Sequence, residues 1–150
     1  MPTKETPTPG SLVWRLSMKW RAAVDRAVAP LGLTHAQYSV LASLFGLERA
    51  GQRPSQRQLA DHTGLEPLYV SKLARALERA KLITRAVDPV DSRAVQLSLT
   101  KHGRDVAIRA VAVVAELQEQ LTAPLGGTRS KRTRALVAEL QELLNPQTTT

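Results

Sequence analysis

The feature that most constrains this chain is a pair of short segments hinged on a glycine. Ser55-Gln56-Arg57-Gln58 places a hydroxyl three residues before an amide, the pattern of a capping box that opens a helix. Ala60 and Gly64 follow at a spacing with a physical meaning. A small residue sits where a second helix must cross closely, and a glycine sits where the chain must turn through left-handed backbone. Leu59, Leu65, Val70 and Leu73 supply the apolar faces of the two helices, and Pro67 falls in the first turn of the second, where a missing N–H costs nothing. Leu82-Ile83-Thr84-Arg85 and Val95-Gln96-Leu97-Ser98-Leu99-Thr100 then read as two strands joined by the charged turn Asp88-Pro89-Val90-Asp91-Ser92-Arg93. In the second strand Val95, Leu97 and Leu99 alternate with polar or small residues, so one face is apolar. Helix, turn, helix and hairpin together make a winged helix, whose usual ligand is duplex DNA.

The flanking segments are helical. Leu12, Leu16, Trp20, Ala23, Ala27 and Leu31 follow helical spacing from Ser11 until Pro30 and Gly32 end the run. Thr34 and Gln37 form another capping box, opening a helix with Tyr38, Leu41, Leu44, Phe45 and Glu48 that stops near Gly51. After Gly103 a long helix carries Val106, Ala110, Val113, Val114, Leu117 and Leu121, Pro124 to Gly127 break it, and a last helix carries Leu136, Val137, Leu140, Leu143 and Leu144. The expected fold is mainly α with a small β-hairpin wing. Residues 1–10 read as a disordered lead and 146–150 as a tail. A single domain over 11–145 contains a winged-helix lobe at 34–100, flanked by helical segments at 11–31 and 101–145.

Composition narrows the function. The 150 residues carry 21 Lys and Arg against 13 acidic side chains, a formal charge of +8 that favours polyanions, though no basic block is long enough to be a tail. Cysteine is absent, which removes disulfides, thiol chemistry and cysteine-ligated metals. No run approaches the roughly 20 apolar residues of a spanning helix, and the first ten residues have no hydrophobic region, so no membrane partner is expected and a cytoplasmic location is the default. His35, His62 and His102 lie on different elements without the partner at i+4 that a metal site needs, so no metal or cofactor is expected. With no glycine-rich phosphate loop, close carboxylate pair or nucleophile–base order, an enzyme is not expected.

The chain resembles the MarR family of bacterial transcriptional regulators. The resemblance rests on Leu33-Thr34-His35-Ala36-Gln37-Tyr38-Ser39-Val40-Leu41, Gln58-Leu59-Ala60-Asp61-His62-Thr63-Gly64-Leu65 and Val70-Ser71-Lys72-Leu73-Ala74-Arg75-Ala76-Leu77-Glu78. The Asp91-Ser92-Arg93 wing and the exit Leu99-Thr100-Lys101-His102-Gly103 add to it, and the match extends over about residues 12 to 145. One departure is Ala80-Lys81, where the family often has a glycine at the end of the fourth helix. The resemblance implies a homodimer built from the N- and C-terminal helices, with two wings straddling a palindromic operator in double-stranded DNA. The apolar stripes in those helices exceed what one small winged helix needs, and pairing across a two-fold axis would bury them. A monomer with the same helices folded back is the alternative.

Within the lobe, the N-terminal end of the fourth helix is expected in the major groove. Ser71, Lys72 and Arg75 would read base edges through hydrogen bonds, while Pro67, Leu68 and Tyr69 would meet thymine methyls, with Glu66 beside them. Ser55, Gln56 and Arg57 are expected on phosphates, and Arg85 is counted with the DNA contacts. Arg93 would enter the minor groove or grip a phosphate, oriented by Asp91. The resemblance further implies a small aromatic or phenolic effector, for which Trp14, Trp20, Tyr38 and Phe45 are candidate pocket walls; plain packing is the alternative for each. The expected function is a sequence-specific regulator, a repressor released by that ligand. Its rivals are an architectural DNA protein without sequence preference and a winged helix acting as a protein adaptor.

Overall fold

The structure, a computed structural model, describes residues 6–146. Of the lead expected over 1–10 and the tail expected over 146–150, residues 1–5 and 147–150 lie outside them. Six helices and one hairpin follow in order: α1 (Pro9–Val28), a single 3-10 turn (Ala29–Leu31), α2 (His35–Arg49), α3 (Gln56–Thr63), α4 (Pro67–Arg79), β1 (Ile83–Val87), β2 (Val95–Leu99), α5 (Lys101–Thr122), a second 3-10 turn (Ala123–Leu125) and α6 (Lys131–Leu144). The chain divides into two compact units inside α5, one up to Ala112 and one from Val113.

α1 starts two residues earlier than its apolar spacing suggests, so residues 9 and 10 are helical and not part of a lead. Thr8 is the N-cap: its hydroxyl accepts from the Ser11 N–H, and the Ser11 hydroxyl accepts from the Thr8 N–H, both at 3.2 Å. Pro9 at the first helical position is pre-set for that backbone. The buried edge of α1 is Val24 and Val28, whereas Leu12, Leu16 and Trp14 from the N-terminal half remain exposed. Asp25 ties α1 to α2 by accepting the His35 N–H at 2.6 Å.

α2 is the centre of the first unit and packs on α1, α3, α4 and β2. Leu41 and Leu44 from α2 meet a fully buried set that includes Leu59, Val70, Leu77, Ile83 and Leu97. The capping boxes at Thr34–Gln37 and Ser55–Gln58 form as expected. Gly64 ends α3 at φ +74°, its N–H bonded to the Ala60 carbonyl, which turns the chain so that α4 crosses α3.

α4 ends by a different residue from the glycine the turn favours. Lys81 takes φ +61°, the only non-glycine with positive φ among the described residues. The Leu82 N–H then reaches back to the Leu77 carbonyl and the Lys81 N–H to that of Glu78, satisfying the open end of the helix. β1 and β2 pair antiparallel with Ile83 opposite Leu99, Arg85 opposite Leu97 and Val87 opposite Val95. Thr100 fastens the base of this hairpin. Its hydroxyl donates to the Lys81 carbonyl at 2.7 Å and accepts from the Gly103 N–H at 2.9 Å, which also caps α5. Gly103 sits directly against the Leu82 backbone, and a Cβ there would fall on the Leu82 carbonyl.

In the second unit, Thr133 donates its buried hydroxyl to the Gly127 carbonyl at 2.7 Å, and Ser130 caps α6. Glu119 accepts both the N–H and the hydroxyl of Thr128; those bonds hold its carboxyl below the usual range. Thr133 is the one buried residue of α6, so Leu136, Val137, Leu140, Leu143 and Leu144 all face outward.

The two sides of the hairpin base predict opposite effects on stability. Gly103→Ala should destabilise the fold by about 3 kcal/mol, because backbone must move to admit the methyl group. Lys81→Gly should stabilise it by about 1 kcal/mol, because the left-handed conformation no longer opposes a Cβ. Denaturant unfolding of the two variants checks both signs.

Candidate nucleic-acid interface

The outward face of α4 follows from what its inward face must bury. Val70, Leu73, Ala74 and Leu77 are buried, so positions between them point away from the core. Leu68, Lys72, Arg75 and Arg79 then share one exposed stripe at spacings of four, three and four residues. Leu68 is 73% exposed. Tyr69 is exposed beside it, and Ser71 is half-buried at the border of the stripe. Arg79 was not singled out from the sequence, although the same period reaches it.

Glu66 has a different role from the groove contact expected. As N-cap it accepts the N–H groups of Leu68 (3.2 Å) and Tyr69 (3.1 Å). Its carboxylate therefore occupies the positive end of α4 and leaves no anion site there for a phosphate. The exposed cations of α4 are Lys72, Arg75 and Arg79, further along the helix.

At α3 the structure separates three neighbours. Ser55 is 8% exposed, and its hydroxyl accepts the Gln58 N–H at 3.1 Å while the Gln58 amide oxygen accepts the Ser55 N–H. Its side chain is a buried cap, which corrects the expected phosphate contact. Gln56 is half-buried, and its Oε1 is enclosed without a hydrogen bond. Arg57 is exposed, as is Arg53 in the preceding connector, so the cations at this edge are Arg53 and Arg57.

The wing is a braced loop. Asp88 Oδ1 accepts the N–H groups of Val90 (2.8 Å) and Asp91 (3.1 Å), and the Asp88 N–H bonds to the Ala94 carbonyl (2.9 Å). Asp91 Oδ1 accepts the Arg93 N–H at 3.0 Å and lies 3.5 Å from its Nε. Arg93 is thus held at its root, and its side chain is 92% exposed. An exposed pair of this kind adds little stability, so its consequence is orientation.

Arg85 does not belong with these residues. Facing Leu97 across the hairpin, it lies on the side of β1 that packs inward. Its side chain is only 22% exposed, its Nη1 is 3.8 Å from Glu78 Oε1, and its Nε is buried without a partner. It is a structural cation, not a free DNA contact.

The four aromatics expected to wall one pocket are not gathered. Tyr38 lines a concavity of about 600 Å³ between α2 and α3, with Ser39, Ala42, Ser43, Gly46 and His62. Burial raises the Tyr38 phenol pKa, so the side chain stays neutral. Trp14 is 66% exposed on α1, Phe45 packs against the Arg49 guanidinium at 5.6 Å, and neither they nor Trp20 line the concavity. Helical periodicity put these side chains on α1 and α2 correctly but carried no information on their convergence.

A sequence profile of the MarR family matches residues 31–94, from the turn before α2 through the wing. An uncharacterized HTH-type transcriptional regulator of Bacillus subtilis, YdcH, is 31% identical over 137 residues, covering 91% of this chain and 90% of its own. The chain belongs to the MarR family of transcriptional regulators. It is a DNA-binding regulator and not an enzyme. An HTH-type transcriptional repressor of Mycobacterium tuberculosis is 34% identical over 77% of this chain and 83% of its own. Among solved structures, the MepR–DNA complex of Staphylococcus aureus superimposes with a TM-score of 0.81 at 25% identity, covering 93% of this chain and 97% of that one. No helix among the described residues is long and apolar enough to cross a membrane.

For a MarR-family protein with this surface, reading and gripping should separate by element. Lys72→Ala and Arg75→Ala should change which bases are preferred, because donors on a helix in the major groove reach base edges. Arg57→Ala should lower affinity by a similar factor on every sequence. Measuring each variant on a preferred duplex and on a scrambled one checks this; equal losses on both for Lys72 and Arg75 would make them phosphate contacts.

Proposed function

We propose that the protein is a homodimeric repressor that reads a palindromic operator and is released by a small aromatic ligand. The carrying observation is the surplus of exposed apolar side chains on α1 and α6. Leu12, Val13, Trp14 and Leu16 in the first, and Leu136, Val137, Leu140, Leu143 and Leu144 in the second, are exposed. Exposed apolar stripes mark interaction surfaces, and a second copy would cover them in a self-complementary way. Two copies bring two outward-facing α4 helices to one duplex, with Lys72, Arg75 and Tyr69 toward bases, Arg57 toward phosphates and the two Arg93 side chains at the flanks. Repression is supported by the activity in the name of the Mycobacterium tuberculosis relative, and duplex binding by the DNA complex of MepR. A cytoplasmic site of action accords with this reading.

Tyr38 supports the effector: a neutral, half-buried phenol beside Ser39, Ser43 and His62 offers a flat molecule both an apolar wall and hydrogen-bond partners. A ligand that binds one arrangement of the reading helices better than the other would shift their spacing and lower DNA affinity.

Selection of preferred duplexes from random DNA tests the whole reading. It should return an inverted repeat with half-sites about one helical turn apart. Sedimentation of the free protein should give about twice 16.4 kDa. Benzoate- or phenol-type compounds should weaken binding to the selected duplex. A monomer with no sequence preference would overturn the proposal.

A further inference from the structure

An antiparallel hairpin exposes along its two outer edges the N–H groups that do not point at the partner strand. At the base of this wing three of those groups are taken up by neighbours, on both sides. On the β1 edge the Arg85 N–H donates to Glu78 Oε2 at 3.2 Å. On the β2 edge the Leu97 N–H donates to the Pro54 carbonyl at 3.1 Å and the Leu99 N–H to Glu48 Oε1 at 2.9 Å. Two of these acceptors are helix carboxylates, Glu78 near the end of α4 and Glu48 near the end of α2. Each carboxylate also holds an arginine: Glu78 Oε1 lies 3.8 Å from Arg85 Nη1, and Glu48 Oε2 lies 3.5 Å from Arg104 Nη2 on α5. Glu48 is well covered, its side chain only 19% exposed, so its bond to Leu99 is shielded from competing water.

We infer that Glu48 and Glu78 form a two-sided clamp that sets the angle of the wing against α2 and α4, and so places Arg93 for DNA. The clamp acts at the base, while the loop bonds of Asp88 and Asp91 brace the tip. The hairpin has only two strands of five residues each, and such a ribbon is marginal on its own. Its direction must come from what grips it. A carboxylate can accept a strand N–H and an arginine at once, using its two oxygens, which a hydroxyl or amide in the same place does less well. Glu48 and Glu78 are thus positioning residues that touch no DNA. This inference rests on the reading of Arg93 as a DNA contact.

The absence of native cysteine permits a clean measurement of wing position. Nitroxide labels on Val90→Cys at the exposed wing tip and Ala50→Cys at the end of α2, diluted with unlabelled chain, report one intramolecular distance. Glu48→Ala and Glu78→Ala should each broaden that distribution, while Glu48→Gln and Glu78→Gln, which keep an acceptor oxygen, should retain most of the wild-type width. On a duplex selected from a random pool by the wild-type chain, each alanine variant should bind about three- to thirtyfold more weakly. In an Arg93→Ala background that loss should largely vanish, because an arginine that is gone can no longer be misplaced. Unchanged distance distributions in both alanine variants would overturn the clamp. Losses of full size that persist without Arg93 would overturn its link to DNA binding. Broadened distributions with Arg93→Ala itself harmless would keep the clamp and sink the reading of Arg93. Thermal unfolding of every variant separates these outcomes from loss of fold.

Discussion

The contact between the first turn of α5 and the carbonyl of Leu82 governs the first unit. A glycine at 103 lets α5 begin directly against the end of the α4–β1 turn, where any side chain would collide with backbone. Thr100 completes the joint by bonding to the Lys81 carbonyl on one side and the Gly103 N–H on the other. Four elements therefore share one rigid point: the end of α4, both strands of the wing, and the start of α5. Displacing any one of them would move the others. The unfavourable backbone of Lys81 is tolerated because Thr100 and the capping bonds from the Leu82 and Lys81 N–H groups to the Leu77 and Glu78 carbonyls over-determine the turn.

From that joint outward, charge is arranged with some economy. Five acidic groups near the reading elements are engaged: Glu66 caps α4, Glu48 and Glu78 hold strand N–H groups, and Asp88 and Asp91 brace the wing. Each carboxylate is thus fixed at an inward or local task, and the exposed cations of α3, α4 and the wing are left to face a polyanion. Net charge alone would not distinguish this chain from many basic proteins. What distinguishes it is the stripe of Lys72, Arg75 and Arg79 on α4, beside an exposed Leu68 and Tyr69 that offer apolar contact.

Much of this was legible in the sequence because local chemistry fixes it locally. The boxes at Thr34–Gln37 and Ser55–Gln58, the turn at Gly64 and the Asp91–Arg93 pairing each involve residues within four positions of one another. The box that starts α1 was harder to see because Ser11 replaces the usual Glu or Gln. What the sequence could not show was long-range placement. Ser55 has the composition of a phosphate contact, yet a bridge to Gln96 in the wing buries it. Arg85 looked like a free cation until pairing with Leu97 set its face. Glu48 carries no local signal at all, since its partner Leu99 is 51 residues away. The aromatics of α1 and α2 were placed on the right helices, but only Tyr38 lines the concavity.

The central claim is that α4 and the wing, held by the Leu82–Gly103 joint, form the surface that meets DNA. Amide hydrogen exchange of the chain with and without a duplex it selects from random DNA tests this most directly. The account predicts added protection over residues 67–75 and 88–95, with little change at Tyr38 to Gly46 on α2. Protection confined to other segments, with α4 and the wing unaltered, would contradict it.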